Sequence, residues 1–293
     1  MSGCDLSIII PVYNDQDNLN RILGELSQNQ PDETWEVIVV DDGSPEPLSI
    51  TNPTGSWHLL RQDKQGGAAL ARNIGVRKAV GRHIILLSVF LKLPIDYISR
   101  IKTFIQTHEF DFAQHLLEKA PEVSANHFQD FLANQGDRVS QKAENLAIKQ
   151  SLFTAAIISK EAFCRMKGFD ESMQHYGGHE MDLIYRLDQA DYQKRITISD
   201  FSLQRTKLEK HSIIRQRLQE YGHTGLPNLL QKHPELKPSI LMAQGLWRVV
   251  AFFGITCFLE DRISGKIEAD KKLSRDVYRL YLHLIVRNAW DAR

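Results

Sequence analysis

Asp41 and Asp42 stand together at the end of the apolar run Trp35-Glu-Val-Ile-Val-Val40 and lead into Gly43-Ser44. An ionised carboxylate on a rigid element is a fixed hydrogen-bond acceptor. Pro11 and Tyr13, at the end of a second apolar run, supply apolar and aromatic surface. An acceptor beside such a surface suits the edge and face of a nucleotide, so Pro11, Tyr13 and Asp42 make one candidate set, with Asp41 alongside. Asp41-Asp42-Gly43-Ser44 also reads as an ordinary turn. Arg72 follows Gly66-Gly67, glycines that let a backbone approach a ligand closely. The other reading of Arg72 is a solvated helix charge, and Asn73 reads as a residue that holds local structure. A second carboxylate pair, Glu180 and Asp182, lies in Gly177-Gly-His-Glu-Met-Asp-Leu183. A carboxylate in reach of a hydroxyl can act as a general base. Asp182 can instead cap or hold the start of a helix.

Apolar patterning supplies the elements that must position these groups. Leu6-Ser-Ile-Ile-Ile-Pro-Val12 and 35–40 are short β-branched runs, predicted as strands buried on both faces. Shorter strands are predicted at 57–61 and 82–87. Helical spacing is found at 15–27 and 66–79. This alternation predicts a doubly wound open sheet, in which ligands bind at the carboxyl ends of the strands. Tyr13-Asn14, Asp41-Asp42 and the segment after Leu87 should all lie there. Further on, 95–108 reads as helix, 111–118 as strand, 120–145 as polar loop, 147–159 as a strand leading into a helix near 161–166, and 179–190 as helix. Beyond about residue 205 the pattern is helical. His211 reads as a surface or helix-end residue.

The chain has 293 residues, 42% hydrophobic and 25% charged, with 36 basic and 36 acidic side chains. That balance fits a globular protein with a substantial core and argues against a general nucleic-acid binder. Three cysteines without a CxxC pair suggest neither a zinc ribbon nor a disulfide framework and fit a reducing cytosol. No cleavable signal is read at the N-terminus, and the longest apolar run, near 249–259, is about half of the roughly 20 residues that span a bilayer.

Leu6-Ser-Ile-Ile-Ile-Pro-Val-Tyr-Asn14, Val37-Ile-Val-Val-Asp-Asp-Gly-Ser44, Gly66-Gly-Ala-Ala-Leu-Ala-Arg-Asn-Ile-Gly75, Ala79-Val-Gly81, Gly168-Phe-Asp-Glu171 and Tyr176-Gly-Gly-His-Glu-Met-Asp-Leu-Ile-Tyr-Arg-Leu187 resemble, in order and spacing, the motifs of the family 2 glycosyltransferases. The resemblance implies a GT-A fold: an α/β, doubly wound, Rossmann-like mixed sheet with a helical C-terminal extension. It divides the chain into a GT-A domain, 1–205, with a donor half 1–94 and an acceptor half 95–205, and an extension, 206–293.

The resemblance implies an inverting transferase of hexosyltransferase type, taking a sugar from a nucleotide sugar, in particular a UDP-sugar, to a glycan or lipid-linked hydroxyl in polysaccharide biosynthesis. Asp42 would accept from the uracil or ribose, and Arg72 would lie by the base and phosphates. Glu180 would be the base when the motif is aligned without a gap, with Asp182 as the other candidate. The family's Asp-x-Asp metal pair falls on Ser88 and Phe90. Neither is a good ligand for a hard cation, so no metal cofactor is expected. Arg72, Lys92, Lys64 or backbone N–H groups near Gly66-Gly67 would then meet the diphosphate charge. The alternative is a glycosyltransferase-like binding or scaffold protein without turnover. The C-terminal helices, basic around 207–217 and apolar beyond, either cover the core, form a dimer interface or lie on the inner face of a membrane; the location implied is cytoplasmic.

Overall fold

The computed structural model describes residues 5–29, 34–51, 55–133, 146, 151–173, 177–236 and 255–292. Residues 134–145 of the expected polar loop and 249–254 of the apolar C-terminal stretch lie outside them. The chain forms two compact units. One comprises Met1–Ala120, Gly136–Glu171 and Leu183–Thr206; the other comprises Pro121–Gln135, Ser172–Asp182 and Lys207–Arg293. The second therefore draws in two segments from before residue 205 as well as the predicted extension.

The first unit is built on an eight-stranded mixed sheet. Its strands are β1 (Leu6–Val12), β2 (Trp35–Asp41), β3 (Ser56–Arg61), β4 (His83–Leu87), β5 (Leu91–Lys92), β6 (Phe112–Lys119), β7 (Ala155–Ser159) and β8 (Arg195–Arg205). Their order is β3-β2-β1-β4-β7-β6-β8-β5. β1 pairs in parallel with β2 as far as Val12↔Asp41, and with β4 only as far as Ile9↔Leu86. Side chains alternate between two cores. Ile8, Ile10, Val37 and Val39 join one cluster with Leu19, Ile22, Leu23 and Leu26 of α1 (Gln16–Leu26). Ile9, Ile38 and Val40 join the other with Ala69, Ala71 and Val76 of α2 (Ala68–Lys78). Both faces are covered, which is why β1 and β2 read as continuous apolar runs. Each such side chain contributes roughly 1.5–3 kcal/mol on burial.

α3 (Tyr97–Thr107) buries Tyr97, Ile98, Ile101 and Phe104 in the first of these clusters. The Tyr97 hydroxyl lies 3.2 Å from His115 Nε2, deep in the core. Burial drives the His115 pKa down to about 3. Between about 6.5 and 3 the unfolded chain binds a proton that the folded chain refuses, so this contribution to stability is present above 6.5 and lost as pH falls. His115→Phe should be less stable than wild type near neutrality, because it strands the Tyr97 hydroxyl. The gap should close by up to about 1.4 kcal/mol per pH unit below 6.5. Urea denaturation of both proteins at several pH values measures this; a constant gap would show that His115 is not the titrating group.

The second unit is helical, with α4 (His127–Ala133), α7 (His211–Glu220), α8 (Leu226–Lys232), α9 (Ile255–Glu268) and α10 (Arg275–Asp291). Its core gathers Phe128, Ile263, Ile267, Tyr278, Tyr281, Leu284 and Ile285. Two expectations are corrected here. Residues 127–133, read as polar loop, are helix α4. His211 is at a helix end, but it is buried rather than at the surface, with Nε2 2.6 Å from the Tyr281 hydroxyl. The remaining α-helices among the described residues are α5 (Lys160–Arg165) and α6 (His179–Gln189). Among the described residues no helix is long and apolar enough to cross a membrane.

Candidate functional site

The strand order reverses at β1, between β2 and β4, and such switch points form crevices at the carboxyl ends of the strands. The sequence prepares this opening. Val12 O accepts from Asp42 N on the β2 side, so by alternation the nitrogen of Pro11 faces β4. Pro11 has no donor to give there, and the ladder has already stopped at Ile9↔Leu86. Tyr13, 42% exposed, and Asn14, at φ 49°, follow directly. Asn14 N donates to Ser44 Oγ at 2.8 Å, which joins the β1 and β2 ends.

The two aspartates divide their roles. The Asp41 side chain is 1% exposed and serves the chain itself, accepting from Ser44 N at 2.9 Å, Leu48 N at 3.3 Å and Arg61 Nη1 at 2.7 Å. Burial pushes its pKa up, but these bonds and the Arg61 charge prevail and hold it low. Asp42 faces the Gly66-Gly67 turn. Its Oδ1 receives Gln62 Nε2, Gly66 N at 2.9 Å and Gly67 N at 3.2 Å, whereas Oδ2 receives only Gly67 N at 2.9 Å. Oδ2 therefore keeps acceptor capacity. Burial raises the Asp42 carboxyl, the charge of Asp41 adds to this, and the Gly66 and Gly67 donors oppose it. Gly43 makes this turn possible: it sits at φ +74°, and a Cβ there would lie 2.4 Å from the Lys64 carbonyl carbon.

Arg72 lies on α2 with its guanidinium buried. Nη2 donates to Phe153 O at 3.0 Å, and the group stands 5.5 Å over the Phe169 ring. Asn73 holds local structure, bonding both Phe169 N and O and the Glu171 carboxylate. The motif Gly168-Phe-Asp-Glu171 is thereby tied to α2.

The segment after β4 does not fit a divalent ion. Ser88 Oγ accepts from Phe90 N at 3.3 Å, and the Phe90 ring packs on the main core cluster. The backbone oxygens are engaged as well. Ser88 O accepts from Leu91 N, and Val89 O and Leu91 O accept from the guanidinium of Arg21 on α1. Phe90 O accepts from both Thr206 N and Oγ1. A cation here would lack carboxylates and meet a guanidinium. Lys92 is exposed on β5.

Glu180 and Asp182 occupy the first turn of α6. Glu180 is half-buried. The Asp182 side chain has no exposure, and its Oδ1 lies 2.7 Å from Lys232 Nζ and 2.8 Å from His233 Nε2. Arg21, Arg61, Gln62, Lys232 and His233 carry no motif signal; only the fold brings them to these groups.

A mixed sheet of this order, with helices on both faces and carboxylates at the switch point, defines an α/β fold of the GT-A kind. The mannosyltransferase PcManGT from Pyrobaculum calidifontis, solved with GDP-Man and Mn2+, aligns with 98% of this chain and 88% of its own at a TM-score of 0.62 and 16% identity. TarS residues 1–349 of S. aureus, solved with UDP-GlcNAc, align at 0.54 and 14% identity over 98% of this chain and 91% of that one. The family model described as glycosyl transferase family 2 matches residues 7–164, and the chain belongs to that family. The hyaluronan synthase of Pasteurella multocida is 30% identical over 62% of this chain and 22% of its own length. A validoxylamine A glucosyltransferase of Streptomyces hygroscopicus subsp. limoneus is 23% identical over 81% of this chain and 59% of its own. The chain spans about a quarter of the length of the first of these curated relatives.

Proposed function

We propose that this family 2 glycosyltransferase binds a nucleotide-sugar donor, a UDP-sugar in particular, at the switch point, without a divalent ion, and transfers the sugar with inversion to a glycan or lipid-linked hydroxyl. The observation that carries the donor reading is Asp42, pinned by the Gly66-Gly67 turn with Oδ2 open to one more donor. Pro11 and Tyr13 would cover the base. Arg72, held against Phe153 and Phe169, would act through its field, with Lys64 and Lys92 nearer the diphosphate; the Gly66 and Gly67 amides are already given to Asp42. The nucleotide sugars bound by PcManGT and TarS support the donor class. In the transfer, the acceptor oxygen attacks the anomeric carbon, the bond to the nucleoside diphosphate breaks, and the acceptor proton passes to Glu180.

Calorimetric titration with UDP-glucose, UDP-N-acetylglucosamine and GDP-mannose, in excess EDTA and in excess Mn2+, tests this. Affinity for the bound donor should agree within about threefold in the two conditions. A loss above about tenfold on chelation, or 1.4 kcal/mol, would show that a metal is held by other residues. Asp42→Ala should weaken binding by roughly 1.5–3 kcal/mol, the range for a hydrogen bond to a charged group. Unchanged affinity in the folded variant would remove Asp42 from the site.

A second reading, binding without turnover, is favoured by the loop 88–91, whose carbonyls are engaged and which supplies no Lewis acid. The two readings part on release of the nucleoside diphosphate.

A further inference from the structure

The start of α6 is seated on a helix that passes without a break from α7 through a π turn, Tyr221–Gly225, into α8. Single π turns within α-helices recur at functional sites. Gly177 and Gly178 adopt φ of +82° and +91°. A Cβ on Gly177 would lie 2.5 Å from the Tyr221 ring, and one on Gly178 would lie 3.1 Å from Gly225 O and 3.8 Å from Leu229 Cβ. One turn on, Asp182 meets Lys232 and His233, and His233 Nδ1 is 3.6 Å from Glu235. Tyr221, Gly225, Leu229 and Lys232-His233 recur at three- to four-residue spacing, the period of a single helix stripe. Asp182 N also closes the first helical bond, to Gly178 O at 2.8 Å.

We propose that this stripe positions the turn bearing Glu180, with Asp182, Lys232 and His233 as positioning residues. The inference rests on the reading of Glu180 as the base. Residues two apart on a helix point about 200° apart, so a rotation that aims Asp182 at Lys232 turns Glu180 the other way. A carboxylate with an ammonium and an imidazole on one oxygen and no exposure is poorly placed to take a proton from a substrate. Its charge is instead what locks the turn.

The partners are asymmetric in a way that can be tested. Lys232→Met takes the ammonium from a carboxylate with no exposure and leaves His233 on it, whereas Asp182→Asn leaves an ammonium on a side chain that is 37% exposed and within reach of water. The readouts are release of the nucleoside diphosphate from the nucleotide sugar that binds in the calorimetric screen, donor affinity, and hydrogen exchange of the amides of 179–182. Lys232→Met should lower kcat at least about tenfold, keep donor affinity within about twofold, and speed exchange at least about tenfold. Asp182→Asn should do less. The double variant Asp182→Asn/Lys232→Met removes both charges and should recover most of the rate and the protection. Unchanged exchange and kcat in Lys232→Met would overturn the proposal. So would a double variant with restored protection and no turnover, which would make Asp182 the base. If the wild type releases no nucleoside diphosphate, the functional reading fails and the exchange measurements still decide the clamp: faster exchange in Lys232→Met supports it, and unchanged exchange overturns it.

Discussion

Glu180→Gln should lower sugar transfer by at least about a hundredfold, the lower end of what a positioned general base contributes, and should leave donor affinity within about twofold. Gln keeps the length and hydrogen-bonding atoms of Glu but cannot take a proton at neutral pH. The half-buried position of Glu180 gives it access that Asp182, enclosed by Lys232 and His233, does not have. Alignment of Gly177-Gly178-His179-Glu180 with the family motif leaves either carboxylate as a candidate base. Burial separates them. Comparison of kcat for Glu180→Gln and Asp182→Asn measures the difference. A wild-type rate in the first with abolition in the second would place the base two residues further along α6.

The sheet was legible because its central strands are buried on both faces. Leu6–Val12 coincides with the predicted run, and Trp35–Asp41 and Ser56–Arg61 extend their predictions by one residue each. β8 was not foreseen. It begins with an alternating Arg195-Ile-Thr-Ile198, then meets Ser199-Asp200 at an irregularity where His115 pairs with Ile198 and Leu116 with Ser202, so a period of two never runs its length. Asp41-Asp42, Arg72 and Glu180 could be picked out by residue type and motif. Their unequal roles could not, because those depend on partners such as Arg61, Phe169 and Lys232, which lie 20 to 97 positions away along the chain. His211 illustrates the same limit: a lone histidine reads as a surface or helix-end residue, and only the packing of α4 and α10 buries it, against Phe128 and Tyr281.

Asp41→Ala should destabilise the first unit by roughly 3–5 kcal/mol, which is more than its ion pair alone would suggest. The Arg61 side chain is 38% exposed, and water replaces much of what it loses, so the surface-like part of this pair is worth about 1 kcal/mol or less. The larger loss is in the backbone. Ser44 N and Leu48 N both end on the Asp41 carboxylate, and Ser44 itself is 1% exposed. A buried donor left without an acceptor costs about 1–3 kcal/mol. Ser44 Oγ also accepts from Asn14 N, so loosening this turn frees the neighbouring β1 end and, with it, Tyr13. Two consequences separate the backbone account from the ion-pair account. Arg61→Met, which removes only the cation, should lower the melting temperature by a few degrees at most, whereas Asp41→Ala should lower it by on the order of 10 °C. Because the folded-state pKa of Asp41 is held low, its contribution is present above the unfolded value near 3.9 and lost as pH falls through the folded one; the difference between wild type and Asp41→Ala should therefore be flat from pH 8 to 5 and narrow below about 4. Equal melting losses for Asp41→Ala and Arg61→Met would show that the ion pair, not the backbone donors, holds the turn that carries Asp42.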